Sequence, residues 1–165
     1  MGYRMRATGR LAAWLAMAGA GLIASQPVAA GTLMAIRSVG EGLGQGIYTP
    51  VVEEKIRAVA DRLGDAVRQA SATGVTIAFG TDAGVFAHGR NAGEFALLTD
   101  AGMSSREAVA SATIIAAQVL EMGKEIGRLA PGYSADIIAL EGNPLDNAAL
   151  LENVDWVMVR GRVIE

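Results

Sequence analysis

The sequence predicts an α/β protein in which a helix, a strand and two further helices precede a β-rich tail. Three observations carry this. Apolar residues recur at spacings of three and four over residues 52–70, a β-branched run at 75–79 carries apolar residues on both faces, and beyond Gly123 short apolar runs alternate with Pro-Gly and Asn-Pro turns.

Taken in order, residues 1–30 read as a secretory signal. Arg4, Arg6 and Arg10 form a basic start, residues 11–23 are apolar and Gly, and Pro27 precedes the small residues Val28-Ala29-Ala30 in a cleavage-site pattern. The apolar stretch falls short of the roughly 20 residues that a membrane-spanning helix needs. Export to the periplasm or the exterior is therefore expected, with no membrane attachment after cleavage. Residues 31–49 are Gly-rich without a clear period, which predicts a connector with at most one short strand at 33–36.

Thr49-Pro50 then supplies an N-cap and a proline at the first helical position, with Glu53 and Glu54 in the first turn where the helix dipole favours them. Val52, Ile56, Val59, Leu63, Val67 and Ala70 make one apolar face of a helix that stops at Gly74. Residues 75–79 follow as a strand covered on both sides, ending at Gly80. Asn91 with Glu94 resembles a capping box for a helix reaching about Ala101, and Ser104 with Glu107 opens another reaching about Met122. In the tail, strands are expected at 126–129 and 136–140, and a terminal hairpin at 156–159 and 162–164 around Arg160-Gly161.

Composition narrows the function classes. The 165 residues carry a formal charge of -3 and no Cys. The charge forms no long single-sign block, so no nucleic-acid footprint or polybasic membrane patch is indicated. Without cysteine, disulfide frameworks, thiolate zinc sites, iron–sulfur clusters and cysteine nucleophiles are excluded.

Asp82 is the most suggestive ionisable residue, because a carboxylate just past a buried strand falls where parallel-sheet and barrel enzymes assemble their sites. The same position suits a turn or cap Asp bonded to nearby amides. His88, six residues on, is the sole imidazole and reads either as a proton carrier or ligand, or as a surface loop residue. Catalytic zinc usually takes three protein ligands, and one carboxylate with one His falls short of that. Asp136 and Trp156 read as structural, the one satisfying a strand edge and the other anchoring the hairpin.

The segments GVTIAFGTDAGVFAHGRNAGEF, LLTDAGMSSREAVASATIIAAQVL and IGRLAPGYSADIIALEGNPLDN, with the terminal VMVRGRVI, resemble the C-terminal part of the metal-dependent amidohydrolase superfamily, in its imidazolonepropionase-like and Xaa-Pro dipeptidase-like branch. The resemblance runs from about Ile47 to Glu165. It implies part of a (β/α)₈ barrel, the last strand and its helices over residues 50–122, followed by half of a β-sandwich over 123–165. A full barrel needs about 250 residues. The implied activity is hydrolysis of C–N bonds in small amides or dipeptides with a divalent metal, zinc by resemblance. Asp82 matches the family's carboxylate after the eighth strand, which ligates metal and exchanges a proton with the attacking water, and His88 matches a loop His expected at the mouth of the substrate site. The family's early His-x-His pair, its bridging lysine and two later metal-binding His have no counterpart here, and residues 33–36 would be a remnant of its first sandwich strand.

Three readings follow: an exported, truncated amidohydrolase inactive alone; a binding module that pairs with itself or with a full-length homologue; and a residual metal hydrolase assembling its site between chains around Asp82 and His88.

Overall fold

The computed structural model describes residues 28–164. The expected signal segment therefore lies outside the described residues up to position 27, and its last three residues do not. Val28-Ala29-Ala30 belong to strand β1 (Val28–Gly31), which pairs in parallel with β2 (Thr76–Phe79) in the register Val28 with Thr76 through Gly31 with Phe79. In β2, the neighbours Ile77 and Ala78 point to opposite faces and are both buried, so this strand is covered on both sides as its composition requires.

Between the two strands run three helices, α1 (Leu33–Gly40), α2 (Pro50–Ala60) and α3 (Asp65–Ala72). The first corrects the expected connector and its short strand at 33–36. Leu33, Met34 and Ala35 are buried at the start of a helix, and the first-turn amides that a helix leaves without partners are taken up by a carboxylate from far along the chain, that of Glu94. The single helix expected up to Gly74 is divided at residues 61–64. Gly64 adopts φ +84°, a left-handed conformation that ends the first piece and starts the second. No residue of α2 is buried, and Val51, Val52 and Val59 stand exposed.

After β2 comes a loop, then α4 (Gly93–Asp100), and the chain turns at Gly102 as expected. The Ser104–Glu107 capping box is formed: Ser104 Oγ accepts from the Glu107 N–H at 3.2 Å, and the Ser104 N–H donates to Glu107 Oε2 at 2.8 Å. It opens α5 (Ser105–Ala110), which continues through a π-helical turn (Ser111–Ile115) into α6 (Ala116–Val119). Ser111, fully buried, donates its hydroxyl to Ala108 O at 2.7 Å, and Thr113 does the same to Val109 O at 2.8 Å. Such back-bonding competes with the helical ladder where it loosens into the wider turn.

In the tail, β3 (Ile137–Ala139), β4 (Trp156–Val159) and β5 (Arg162–Ile164) form an antiparallel sheet. Residues 126–128 bend and residue 129 is irregular, where a strand is expected. The terminal hairpin turns at Arg160 (φ +50°) and Gly161 (φ +76°), both left-handed, as a two-residue hairpin requires. Asp136 Oδ1 accepts the Arg160 N–H at 2.8 Å, which gives that carboxylate its structural role. The core gathers Ile77, Leu97, Leu98, Met103 and Ala108 around Leu33 and Met34, with Ala148 of a 3₁₀ turn (Ala148–Glu152) closing it, and takes no residue from the tail sheet. Among the described residues no helix is long and apolar enough to cross a membrane.

Candidate active site

Strand β2 delivers Asp82 to its C-terminal end. Thr81, the residue between Gly80 and Asp82, is buried, and its hydroxyl accepts from Asn91 Nδ2 at 3.3 Å, which ties the two ends of the loop together. Asp82 itself is exposed and holds φ +52°, and its carbonyl accepts the Val85 N–H at 3.2 Å. Asp and Asn tolerate this left-handed conformation better than other side-chain-bearing residues. The far side of the loop is pinned by Arg90, whose guanidinium bonds both oxygens of Glu41 at 2.9 and 2.6 Å. That pairing holds the Glu41 carboxyl below the usual range and raises Arg90.

Two cavities flank the loop. One, of about 380 Å³, is a largely apolar groove between α1 and α2 that includes Asp82, Lys55 and Val85. The other, of about 260 Å³, lies between α1 and the start of α4, with Arg37, Arg90 and Glu152 on its walls. His88 is exposed and lines neither, so the structure does not bring it into the groove that holds Asp82. Among the described residues, no three of His, Cys, Asp and Glu stand close enough to hold a metal ion together. The donor set present therefore does not fit the divalent metal that the sequence resemblance implies, since a catalytic site needs about three such ligands.

The carboxylate that sequence reasoning placed wrongly is Glu94. The Asn91–Glu94 spacing predicts a cap on its own helix; instead Glu94 is fully buried and accepts the N–H groups of Leu33 and Met34 at 2.9 and 2.6 Å. Burial pushes its pKa up to about 7, and the two amide bonds only partly oppose this. No local signal pointed to it, because its partners lie 61 and 60 residues away.

Asp82 is thus an exposed carboxylate at the C-terminal end of a doubly covered parallel strand, the end at which α/β folds gather ligand-binding groups. The chain belongs to the amidohydrolase family, whose pattern matches residues 50–164. It is 36% identical over 121 residues to the ochratoxinase of Aspergillus niger, a match covering 71% of this chain and 23% of that protein. Among solved structures, it resembles a Xaa-Pro dipeptidase with bound methionine at TM-score 0.71 and 37% identity, covering 79% of this chain and 33% of the other. A putative prolidase from Bifidobacterium longum matches at TM-score 0.72 and 31% identity, covering 83% and 35%. The α/β fold, with its small β sheet, is thus that of amidohydrolase structures, and the chain spans about a third of their length or less.

Proposed function

We propose that this chain is the closing segment of a hydrolase that cleaves C–N bonds of small amides or dipeptides, and that it does not turn over substrate by itself. In this reading β1 and β2 are neighbouring strands of an incomplete (β/α)₈ barrel, and the tail sheet is half of a sandwich. The observation that carries it is Asp82, an exposed carboxylate at the C-terminal end of β2 and within the family match, without enough neighbouring donors for a metal among the described residues. A carboxylate so placed can accept the proton of an attacking water and return it to the leaving nitrogen, provided the remaining strands position both. The ochratoxinase, dipeptidase and prolidase relatives motivate the substrate class.

The test measures hydrolysis of Xaa-Pro dipeptides and N-acyl amino acids, and zinc content by mass spectrometry, for the full chain alone and mixed with a related prolidase lacking its own closing segment. The expected result is no stoichiometric zinc and no turnover alone, with turnover restored in the mixture and lost again with Asp82→Asn. Turnover by the chain alone, or a mixture that stays inactive, overturns the proposal.

A second reading, a module that pairs with its own kind or with a longer homologue, is favoured by the two-stranded sheet, whose outer edges are unpaired among the described residues, and by the exposed valines of α2. A protein that stays strictly monomeric at micromolar concentration by sedimentation sinks it.

A further inference from the structure

Among the described residues Glu94 is the only ionisable side chain that is fully buried, and the groups that face it are amides rather than cations. The charged residues on its own helix and on the elements packed against it are Asp100 of α4, Arg37 of α1, Arg106 and Glu107 of α5, and Glu152 of the 3₁₀ turn, all of them exposed. Strands β1 and β2 carry no ionisable residue. The ionised carboxylate is therefore held in the core by two amide bonds without a counter-charge, and loss of water outweighs them. The helix it caps is held differently at its two ends. Beyond the far end of α1, Arg90 bonds both oxygens of Glu41, and Tyr48 donates its hydroxyl to Val39 O at 3.3 Å. The first turn has no side-chain cap of its own and hangs on Glu94. That turn leads straight into the walls of both cavities, Met34 and Arg37 in one, Ile36 and Val39 in the groove that holds Asp82.

We propose that Glu94 is a proton-controlled latch on the first turn of α1: the neutral acid keeps the turn closed on α4, and ionisation lets it open while the far end of the helix stays anchored. The neutral acid retains an acceptor for the turn and is cheap to bury, whereas the carboxylate binds both amides only by keeping a charge away from water. Opening brings the carboxyl into solvent, where it gives up its proton to water near its ordinary value. Each opening above that value thus releases one proton, so rising pH favours the open turn. Because α1 walls both cavities, the groove beside Asp82 loosens with it. The latch is a local event, separate from loss of the whole fold, and it does not rest on the hydrolase reading.

The experiment follows amide hydrogen exchange of the ¹⁵N-labelled full chain by NMR at pH 5, 6, 7 and 8, each rate divided by that of an unstructured amide at the same pH. Leu33 and Met34 report the latch and Ile36 the groove wall. Ala101 and Ala108, whose N–H groups bond Leu97 O and Ser104 O at 2.9 Å, report wider opening. Protection of Leu33 and Met34 is expected to fall about 50-fold from pH 5 to pH 8, in step with the Glu94 carboxyl carbon shift, and Ile36 to follow the same course. Ala101 and Ala108 are expected to stay at least about tenfold better protected at every pH, as a local opening requires. Glu94→Gln, which keeps one acceptor and cannot ionise, is expected to abolish the pH dependence. Protection that is flat or rises with pH, equal protection of all five amides, an Ile36 that does not follow, or a Glu94→Gln chain with the wild-type course overturns the proposal. Should Glu94→Gln fail to fold, the wild-type chain decides: a carboxyl titration that does not coincide with the loss of protection at Leu33 and Met34 overturns it, and coincidence supports it.

Discussion

Glu94 Oε1 accepts the N–H of Leu33 at 2.9 Å across 61 residues of sequence, and the pair joins the end of β1 to α4. The second oxygen takes the Met34 N–H, so one buried carboxylate caps the first turn of a helix that has no side-chain cap of its own. The same contact explains Gly31. A Cβ there would stand 2.8 Å from Leu98 Cδ2 and 3.4 Å from Glu94 Oε1, so only glycine lets the strand end pass this close to α4.

Stability is expected to depend on pH through Glu94. Its folded pKa of about 7 lies above the ordinary 4.5, so between those values the folded state holds a proton that the unfolded state has lost. Stability is therefore greatest below pH 4.5, falls as pH rises toward 7, and levels beyond it, a loss of about 3 kcal/mol from this group. Urea unfolding at pH 5 and pH 8 reads the difference directly. Glu94→Gln removes the titration, and its stability difference between the two pH values is expected to be smaller by that amount. A variant with the wild-type slope would show that another group titrates.

Asp82 separates a chemical role from a structural one. Its side chain is exposed and its backbone left-handed, so Asp82→Asn is expected to change stability by less than about 0.5 kcal/mol, since Asn suits this conformation equally. Asp82→Val, β-branched at positive φ, is expected to cost about 1–2 kcal/mol. Thermal melts check both, and an Asp82→Asn variant that loses as much as Asp82→Val would mark the carboxylate as a fold element.

Gly31→Ala tests the close approach of β1 to α4. The added methyl must displace Leu98, which is fully buried, so a loss of about 1–3 kcal/mol is expected by urea denaturation. Relief by Leu98→Ala in the same chain, giving less than the sum of the two single losses, would assign the cost to that contact.

Local chemistry carried much of the reading. The strand around Ile77 and Ala78, the Ser104–Glu107 box, the turn at Arg160-Gly161 and the strand-end position of Asp82 are written in residues close together in the chain. What stayed hidden depends on distant partners. The helix Leu33–Gly40 follows a Gly-Thr pair and lacks an N-cap bond, and the Glu94 carboxylate that supplies its cap comes from beyond β2. The break near Gly64 is masked by an apolar spacing that continues through it from Val59 to Val67. The groove joins α1, α2 and the loop after β2, segments far apart in sequence, so no local pattern marks it.

The position of β1 bears on where a signal segment could end. Cleavage after residue 30, where the small-residue pattern falls, would remove Val28, Ala29 and Ala30 and their pairing with Thr76, Ile77 and Ala78. Ala78 is fully buried and Ile77 nearly so, and both would be opened to water along that edge. A chain beginning at residue 28 is expected to melt cooperatively by circular dichroism, and one beginning at residue 31 to melt at least about 10 °C lower or without a sharp transition, as loss of a few kcal/mol implies for a domain of this size. Equal melting of the two would show that the β1 pairing contributes little. Mass spectrometry of the chain expressed in a bacterial host then reads its N-terminus; if residues before β1 are removed and β1 is needed for folding, that terminus is expected at or before Val28.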